Sequence, residues 1–134
     1  MSRNTRLSRL AANTQADAFA VLLNGGYLRI YGGLQPADAN EPLGDQPQLA
    51  ELRFGPIAFG LAADGVIKAN AIRSDEDAAN TGKATWFRCF RADGITPVLD
   101  GSAGASGCNL VLRSPDIQQH AQVSVSNFTH VVVA

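Results

Sequence analysis

Both faces of the segment Lys83-Ala-Thr-Trp-Phe-Arg-Cys-Phe-Arg91 carry large apolar side chains. In an extended chain, successive side chains point to opposite sides, so Phe87 and Cys89 share one face while Trp86 and Phe90 share the other. A strand that is apolar on one side only can face water, whereas this strand needs a cover on each side. The segment therefore predicts a central strand of a two-layer β structure.

Turn signals and short β-rich runs extend the predicted β structure on both sides of this segment. Asp93-Gly94 is a strong hairpin signal, and Tyr27-Leu-Arg-Ile-Tyr31 alternates between apolar and polar residues. Further strands are predicted at 48–54, 57–61, 66–72, 95–99, 108–112 and 121–133. Roughly seven or eight short strands, without any alternation of strands and helices, favour a mainly β fold of the jelly-roll-like antiparallel β-sandwich type.

One N-terminal amphipathic helix is predicted before the strands, over Thr5 to Leu23. Its apolar residues recur with the helical period of about 3.6; they are Leu7, Leu10, Ala11, Thr14, Ala18, Val21 and Leu22. Asn24-Gly25-Gly26 follows, and these residue types tolerate the left-handed conformation that ends helices. We therefore expect a single domain over 1–134, with an arm and helix at 1–24 and the β-sandwich at 27–133.

Charge balance and apolar patterning bear on the classes of partner. Among 134 residues, 11 are Lys or Arg and 12 are Asp or Glu, which gives a net charge of −1. A nucleic-acid binder is usually clearly basic, so we expect no direct contact with nucleic acid. No apolar run reaches the ~18–20 residues of a membrane span, and the first residues lack the apolar region of a signal peptide. We therefore expect no membrane contact, and assembly in a cytoplasm.

Residues suited to catalysis or metal binding are few. The chain has two histidines, His120 and His130, and two cysteines, Cys89 and Cys108. Their spacing does not give a zinc pattern, and no serine or cysteine is placed with a base and an orienting group. We therefore expect no catalytic, metal or cofactor site. The cysteines are expected to be free thiols, and a disulfide between them remains an alternative.

The N-terminal arginines Arg3, Arg6 and Arg9 are the first candidates for a partner contact. They recur every three residues near the positive end of the predicted helix, where cations are unfavourable. This placement indicates an acidic partner surface or a flexible arm, and a solvated terminus is the alternative.

The acidic loop at 74–82 is the second candidate, since it contains Asp75, Glu76 and Asp77. It lacks the spaced acids and the later bidentate glutamate of a calcium loop. The segment is therefore either a solvated acidic loop or a charged contact for a basic partner patch.

Trp86, Tyr27 and Tyr31 are candidates for a platform on which a sugar ring could stack. Aromatic side chains in the middle of strands belong more often to the core. A carbohydrate-binding jelly roll is therefore an alternative function, and it requires these rings to be exposed in a groove.

Several motifs resemble small virion proteins of tailed bacteriophages. The first is Leu22-Leu-Asn-Gly-Gly-Tyr-Leu-Arg-Ile-Tyr-Gly-Gly-Leu-Gln-Pro-Ala37. The others are Leu49-Ala-Glu-Leu-Arg-Phe54, Gly65-Val-Ile-Lys-Ala-Asn-Ala71, Gly82-Lys-Ala-Thr-Trp-Phe-Arg88 and Val123-Ser-Val-Ser-Asn-Phe128. The chain resembles the cement, or decoration, type of these proteins from about residue 10 onward.

The resemblance implies a structural protein with no catalytic residues to transfer. Cement proteins bind the outside of an icosahedral capsid and tie neighbouring subunits together, so the implied partner is the major capsid protein and the implied location is the virion surface. A homodimer is also expected, because two-fold dimers are the commonest homo-oligomers. Loops 32–47, 73–82 and 100–107 are the expected contact segments. The alternative within the same particle is a tail adaptor or fibre-associated protein.

Overall fold

A computed structural model describes residues 5–132 of the chain, and it is mainly β, with 33% strand and 11% helix. The helix is α1 (Arg9–Leu22), and the strands are β1 (Tyr27–Tyr31), β2 (Gln48–Arg53), β3 (Val66–Lys68), β4 (Gly82–Lys83), β5 (Trp86–Phe90), β6 (Pro97–Gly104), β7 (Leu110–Val111), β8 (Asp116–Ile117) and β9 (Thr129–Val131). The prediction of a mainly β fold with one N-terminal helix is confirmed.

Strand β5 lies at the centre of a five-stranded sheet with the order β2-β1-β5-β6-β7. All five of its residues are buried, as the two apolar faces of the segment predict. The pairs within this sheet are antiparallel except for β6 and β7, which run parallel. Two further sheets have two strands each, β3-β9 and β4-β8. One curled sheet with two small pairs does not by itself confirm a jelly-roll sandwich.

The inner face of the main sheet forms the hydrophobic core together with α1 and the two small sheets. Phe87 of β5 meets Phe128 edge-on, with ring centroids 5.6 Å apart, and Phe54 and Phe59 pack around the same ring. The fully buried strand residues in this core are Leu28, Ile30, Leu49, Ala50, Leu52, Ile67, Phe87, Cys89 and Leu110. Burial of these side chains away from water is the main source of stability on this side.

The face of α1 that packs against the core is not the one that the sequence predicts. Its buried residues are Ala12, Ala16 and Ala20, whereas Leu10 and Val21 are exposed. Alanines on the inner side let the helix axis approach the sheets closely. Phe19 packs partly against the core, whereas Leu10 and Val21 are left outside. The helix also begins at Arg9 and not at Thr5. Its start is fixed by Ser8, whose Oγ accepts a hydrogen bond from the Ala11 N–H at 3.1 Å.

A β-bulge explains the imperfect alternation of the segment that forms β2. The register between β1 and β2 shifts at Ile30 and Tyr31, so that Leu49 and Ala50 are both buried although they are adjacent. An extra residue on one strand changes which side chains face the core beyond it. Alternation read from the sequence therefore breaks at this point, while the strand itself continues to Arg53.

The limits of several predicted strands and loops are wrong. The predicted loop at 100–107 is strand β6 as far as Gly104. The predicted strand at 57–61 is reduced to one bridge between Phe59 and Ala69. The segments at 66–72 and 121–133 form only the short strands β3 and β9. Short pairs of this kind depend on distant partners, which local sequence periodicity does not reveal.

The outer face of the main sheet is covered by loop 32–47 and not by a second sheet. The Trp86 indole N–H donates to the Gly32 carbonyl at 3.1 Å, and the Thr85 hydroxyl donates to the Gly33 carbonyl at 2.6 Å. Trp86 stacks on Tyr31 with ring centroids 4.5 Å apart, and both rings are buried. The loop thus supplies the second cover that β5 requires.

A buried ion pair lies under this loop. The Arg88 guanidinium donates to both carboxylate oxygens of Asp100, at 2.6 and 2.9 Å, and also to the Asp38 carbonyl at 3.3 Å. The Arg88 and Asp100 side chains are only 3% and 5% exposed. A bidentate pair of this geometry fixes the positions of β5, β6 and the loop relative to one another.

We predict that Gly26→Ala destabilises the fold by about 1–3 kcal/mol. A Cβ at Gly26 would collide with the backbone carbonyl of Phe90, which cannot move without disturbing β5. Gly60→Ala is the matched control, because a Cβ there meets nothing within 4 Å, and a change within about 0.5 kcal/mol is expected. Chemical denaturation measures both variants. Equal effects would contradict the close approach at Gly26.

We predict that Asp100→Leu costs about 3–5 kcal/mol, because it leaves the Arg88 charge buried without a partner. The double variant Arg88→Met with Asp100→Leu should recover most of that loss, since it removes both charges. Arg9→Ala serves as the control. Its ion pair with Asp64 is exposed, and its removal should cost no more than about 1 kcal/mol. Denaturation midpoints at constant slope test the series, and a double variant as unstable as the single one would contradict it.

Candidate partner-binding surfaces

The predicted row of N-terminal arginines is not assembled on a helix. Arg6 is exposed and precedes α1, while Arg9 is the first helical residue; Arg3 lies outside the described residues. The Arg9 Nε atom lies 3.2 Å from a carboxylate oxygen of Asp64, and these side chains are 81% and 77% exposed. An ion pair in water contributes little energy. Within the described part of the chain Arg6 forms no ion pair, whereas Arg9 has an acidic neighbour in Asp64.

The acidic loop has a structural role at the edge of the main sheet. Strand β2 is an edge strand, and Asp75 holds the loop beside it by accepting a hydrogen bond from the Glu51 N–H at 2.8 Å. The other carboxylate oxygen of Asp75 accepts from the Asp77 N–H at 2.9 Å. Backbone groups of Ala79 and Leu49 also pair, at 3.0 Å. The loop thus satisfies polar groups that an edge strand leaves open.

The other two acids of the loop also have partners within the chain. Glu76 accepts a hydrogen bond from the Gln122 side chain at 3.1 Å, and Asp77 lies 2.6 Å from Nδ1 of His120. Asp75, Glu76 and Asp77 therefore tie the loop to β2 and to the segment around residue 120. The carboxylates remain a source of negative potential at the surface, but each has been engaged by its own fold.

The two histidines make different contacts, and the structure does not pair either of them with a nucleophile within residues 5–132. His120 is exposed and hydrogen-bonded to Asp77, while His130 stacks on Phe19 of α1 with ring centroids 4.2 Å apart. Neither imidazole is hydrogen-bonded to a serine or cysteine within residues 5–132. Over the same range, no three His, Cys, Asp or Glu side chains are grouped to hold a metal ion. Burial lowers the pKa of His130.

Both cysteines are free thiols, so the alternative of a disulfide between them is not formed. Cys89 is fully buried on the inner face of β5, and burial strongly raises the pKa of its thiol. Cys108 is partly buried, and its Sγ donates to the Leu110 carbonyl at 3.1 Å. A thiol with a raised pKa is a poor nucleophile, so Cys89 serves packing.

The three aromatic rings considered for sugar stacking do not form an open platform. Trp86 and Tyr31 are buried under loop 32–47, and burial raises the pKa of the Tyr31 hydroxyl. Tyr27 is partly exposed, but the guanidinium groups of Arg53 and Arg29 lie over its ring at 4.7 and 5.2 Å. The exposed groove that a carbohydrate-binding module requires is absent at these rings.

An exposed apolar surface lies along α1 and the loop beside it. We call this the helix–loop surface, and it consists of Leu10, Val21, Ile57 and Leu61, of which Leu10 is 77% and Leu61 is 90% exposed. On the helix, Leu10 and Val21 lie on the same side because they are eleven positions apart, close to three turns. The apolar periodicity in the sequence identified the two helical residues but assigned them to the core.

Helix side chains hold the loop in place beside this surface. Asn13 accepts from the Gly65 N–H at 2.7 Å, and Asp17 accepts from the Ala62 N–H at 2.8 Å. Asn24, just beyond the helix, accepts from the Ala58 N–H at 2.9 Å. The three acceptors are spaced along one side of the helix axis and satisfy loop backbone groups that would otherwise need water. Leu61 is thereby presented from an anchored loop.

Two arginines that sequence reasoning did not single out lie side by side near Tyr27. Arg53 and Arg73 form an isolated antiparallel bridge, with reciprocal backbone hydrogen bonds of 3.1 and 2.8 Å. We call them the arginine pair. They are 20 positions apart in the sequence, and only the return of the chain past β2 brings them together, so no local pattern could have revealed them.

Comparison with protein-family models, with curated protein sequences and with solved structures found no match for this chain. Within the described residues, α1 is too short and too polar to cross a bilayer, and no other helix is present. The surfaces described above therefore provide the observations from which a function can be argued.

We predict that the stability of the wild type falls more between about pH 7 and 5 than that of His130→Phe. The pKa of His130 is lowered in the folded state, so the unfolded chain binds a proton more readily as the pH falls below its ordinary value of about 6.5. This contribution is present above that value and is lost as the pH falls through the folded pKa. The phenylalanine keeps the stack on Phe19 without a titrating group. Unfolding free energies across this range measure the effect, and parallel curves would contradict it.

Proposed function

We propose that this chain is a structural virion protein of the cement type. It binds the capsid shell of a tailed bacteriophage and bridges neighbouring major capsid protein subunits at the outer surface of the virion, after assembly in the host cytoplasm. The proposal is supported by the motifs that resemble such proteins, which begin within α1 and extend through β1, β2, β3, β5 and the segment before β9.

The structural observation that carries the proposal is the helix–loop surface. Helix α1 packs Phe19 and its alanines against the core, yet it leaves the bulky apolar residues Leu10 and Val21 exposed. A contiguous patch of exposed apolar side chains marks a site of protein interaction. The hydrogen bonds from Asp17 and Asn24 to the loop bring Leu61 beside the helix that carries Val21. The anchoring of the loop by Asn13 and Asp17 presents Leu61 without a large ordering cost on binding. We assign this surface to the contact with the major capsid protein.

Such a protein stabilises the shell by mass action. It binds the assembled lattice more tightly than free subunits, and binding therefore shifts the equilibrium toward the intact particle. Each contact can be weak, because a copy that touches two subunits gains from the effective concentration of the second site. A bridge must also be stiff, and here the two covers of β5 supply the stiffness.

Two finer statements belong to the same proposal. The small antiparallel sheets β3-β9 and β4-β8 supply material for a second layer, which supports a jelly-roll-like arrangement around the core. We also propose that the chain associates with itself as a two-fold dimer. This part of the proposal rests on the general observation that isologous dimers are the commonest assemblies. Sedimentation of the purified chain across a range of concentrations tests the dimer.

We predict that shells assembled from the major capsid protein of the same genome bind this chain in many copies and melt at a higher temperature with it. The double variant Val21→Glu with Leu61→Glu should bind at least about tenfold more weakly, because burying each apolar side chain is worth roughly 1.5–3 kcal/mol. Val111→Glu is the matched control, because Val111 is an exposed apolar residue on β7, outside the helix–loop surface. Cosedimentation measures binding, and calorimetry measures shell stability.

The number of copies of the chain on each particle distinguishes a cement protein from a tail protein. Many copies spread over the shell support the cement role, whereas only a few copies at one vertex would assign the chain to the tail. Shells that melt at the same temperature with and without bound chain would show that the cement role is wrong. Equal loss of binding in the Val111→Glu control would show that the helix–loop surface is not the contact.

A further inference from the structure

We propose that the arginine pair, Arg53 and Arg73, binds a carboxylate side chain of a protein partner. The inference rests on the proposed function in one respect, namely that the partner is the capsid shell. The site is separate from the helix–loop surface and from the N-terminal arginines. Arg73 is the first residue of the predicted contact segment 73–82, and the three acids of the acidic loop line one of the two clefts beside the pair.

The two like charges of the arginine pair are placed unfavourably. Arg53 and Arg73 are directly opposite each other in an antiparallel bridge, where facing residues have their Cβ atoms about 4.5–5.5 Å apart. Like charges opposite each other destabilise such a pair. The ion pairs formed within residues 5–132 involve Arg9, Arg29, Arg88 and His120, and neither member of the arginine pair. An anion bound between the two guanidinium groups removes this repulsion.

The Arg53 side chain is already held in position by its own neighbours. Its guanidinium lies 4.7 Å from the centroid of the Tyr27 ring, and its Nε atom is 3.4 Å from the Gly25 carbonyl oxygen. Arg29 lies over the same ring, but it is engaged by Glu51 at 2.8 Å and by the Gly94 carbonyl at 2.9 Å. Among residues 5–132, no hydrogen bond engages the outer N–H groups of Arg53, while the contacts with Tyr27 and Gly25 restrict its orientation. A guanidinium fixed in this way is suited to bidentate recognition of a carboxylate.

The surface around the pair is concave. Both arginines line a cleft of about 410 Å³, and its other walls are mostly small or apolar. These walls are Gly25, Phe54, Gly55, Pro56 and Ala71. A side chain that enters this cleft beside the guanidinium groups therefore meets an apolar surface. The ligand that fits is an aspartate or glutamate with an apolar neighbour in a protein segment.

Acidic side chains beside the pair disfavour dense polyanions such as nucleic acid. Both arginines also line a second cleft, of about 360 Å³, whose wall includes Glu51, Asp75, Glu76 and Asp77. Negative charges this close to the pair repel a ligand that carries many phosphates, whereas a single carboxylate can be placed on the apolar side. The same acids offer a position for a basic group of the partner. Opposite charges side by side therefore fix the orientation of the partner.

The direct test is a titration of the isotope-labelled protein followed by NMR. The probe is the peptide N-acetyl-Leu-Glu-Leu-amide, and its control is the same peptide with glutamine in place of glutamate. The glutamate peptide should shift the amide resonances of the cleft around Arg53 and Arg73, and the glutamine peptide should leave them unchanged. Equal shifts with both peptides, or shifts only elsewhere, would overturn the proposal.

The variant Arg53→Gln with Arg73→Gln tests the same site on the shell. We predict that it binds shells at least about tenfold more weakly, since hydrogen bonds to charged groups are worth roughly 1.5–3 kcal/mol. The variant Arg53→Lys with Arg73→Lys keeps both charges without the planar fork and should lie between it and the wild type. Arg113→Gln, at an exposed arginine outside both clefts, should bind like the wild type.

Three further outcomes separate the inference from the proposed function. The double glutamine variant lacks the two like charges, so its melting temperature in the absence of shells should equal or exceed that of the wild type. A loss of shell binding by this variant is then not caused by unfolding. If the wild type fails to bind shells while the glutamate peptide still shifts the cleft, the proposed function fails and the carboxylate site stands. If the double variant binds shells normally but loses self-association, the occupant is a second copy of the chain and the proposal fails.

Discussion

The requirement that β5 be covered on both faces determines the organisation of the molecule. Its inner face is covered by α1, the small sheets and the phenylalanine cluster around Phe128, which form a conventional apolar core. Its outer face is covered by loop 32–47, which is joined to the sheet by the Trp86 indole and by the buried pair of Arg88 and Asp100. One layer is held by burial of apolar surface and the other by directional polar contacts.

The sequence was informative where the physical signal is local. Apolar residues on both faces identified β5 as central, and the turn at Asp93-Gly94 correctly separated β5 from β6. It was less informative where a distant partner decides the outcome. The bulge at Leu49, the covering of β2 by the acidic loop and the outer loop all depend on contacts between segments far apart in the chain.

The candidate sites show the same division between local and distant information. Charge runs are visible in a sequence, and they drew attention to Asp75, Glu76 and Asp77, which the fold uses for its own edge and loop contacts. Arg53 and Arg73 carry no local signature and become neighbours only through a bridge. The periodicity of α1 correctly grouped Leu10 with Val21, but periodicity cannot say which side of a helix faces the core when the other side is lined with alanines.

Both edges of the main sheet are unsuited to growth by strand addition. The β2 edge is occupied by the acidic loop, and β7, at the other edge, is only two residues long. Proteins displayed side by side on a lattice experience very high local concentrations, at which open edges would join neighbours into continuous β-structure. This chain can be crowded in that way while each copy remains a separate unit, and contacts between copies must then be made by side chains, whose chemistry can be specific.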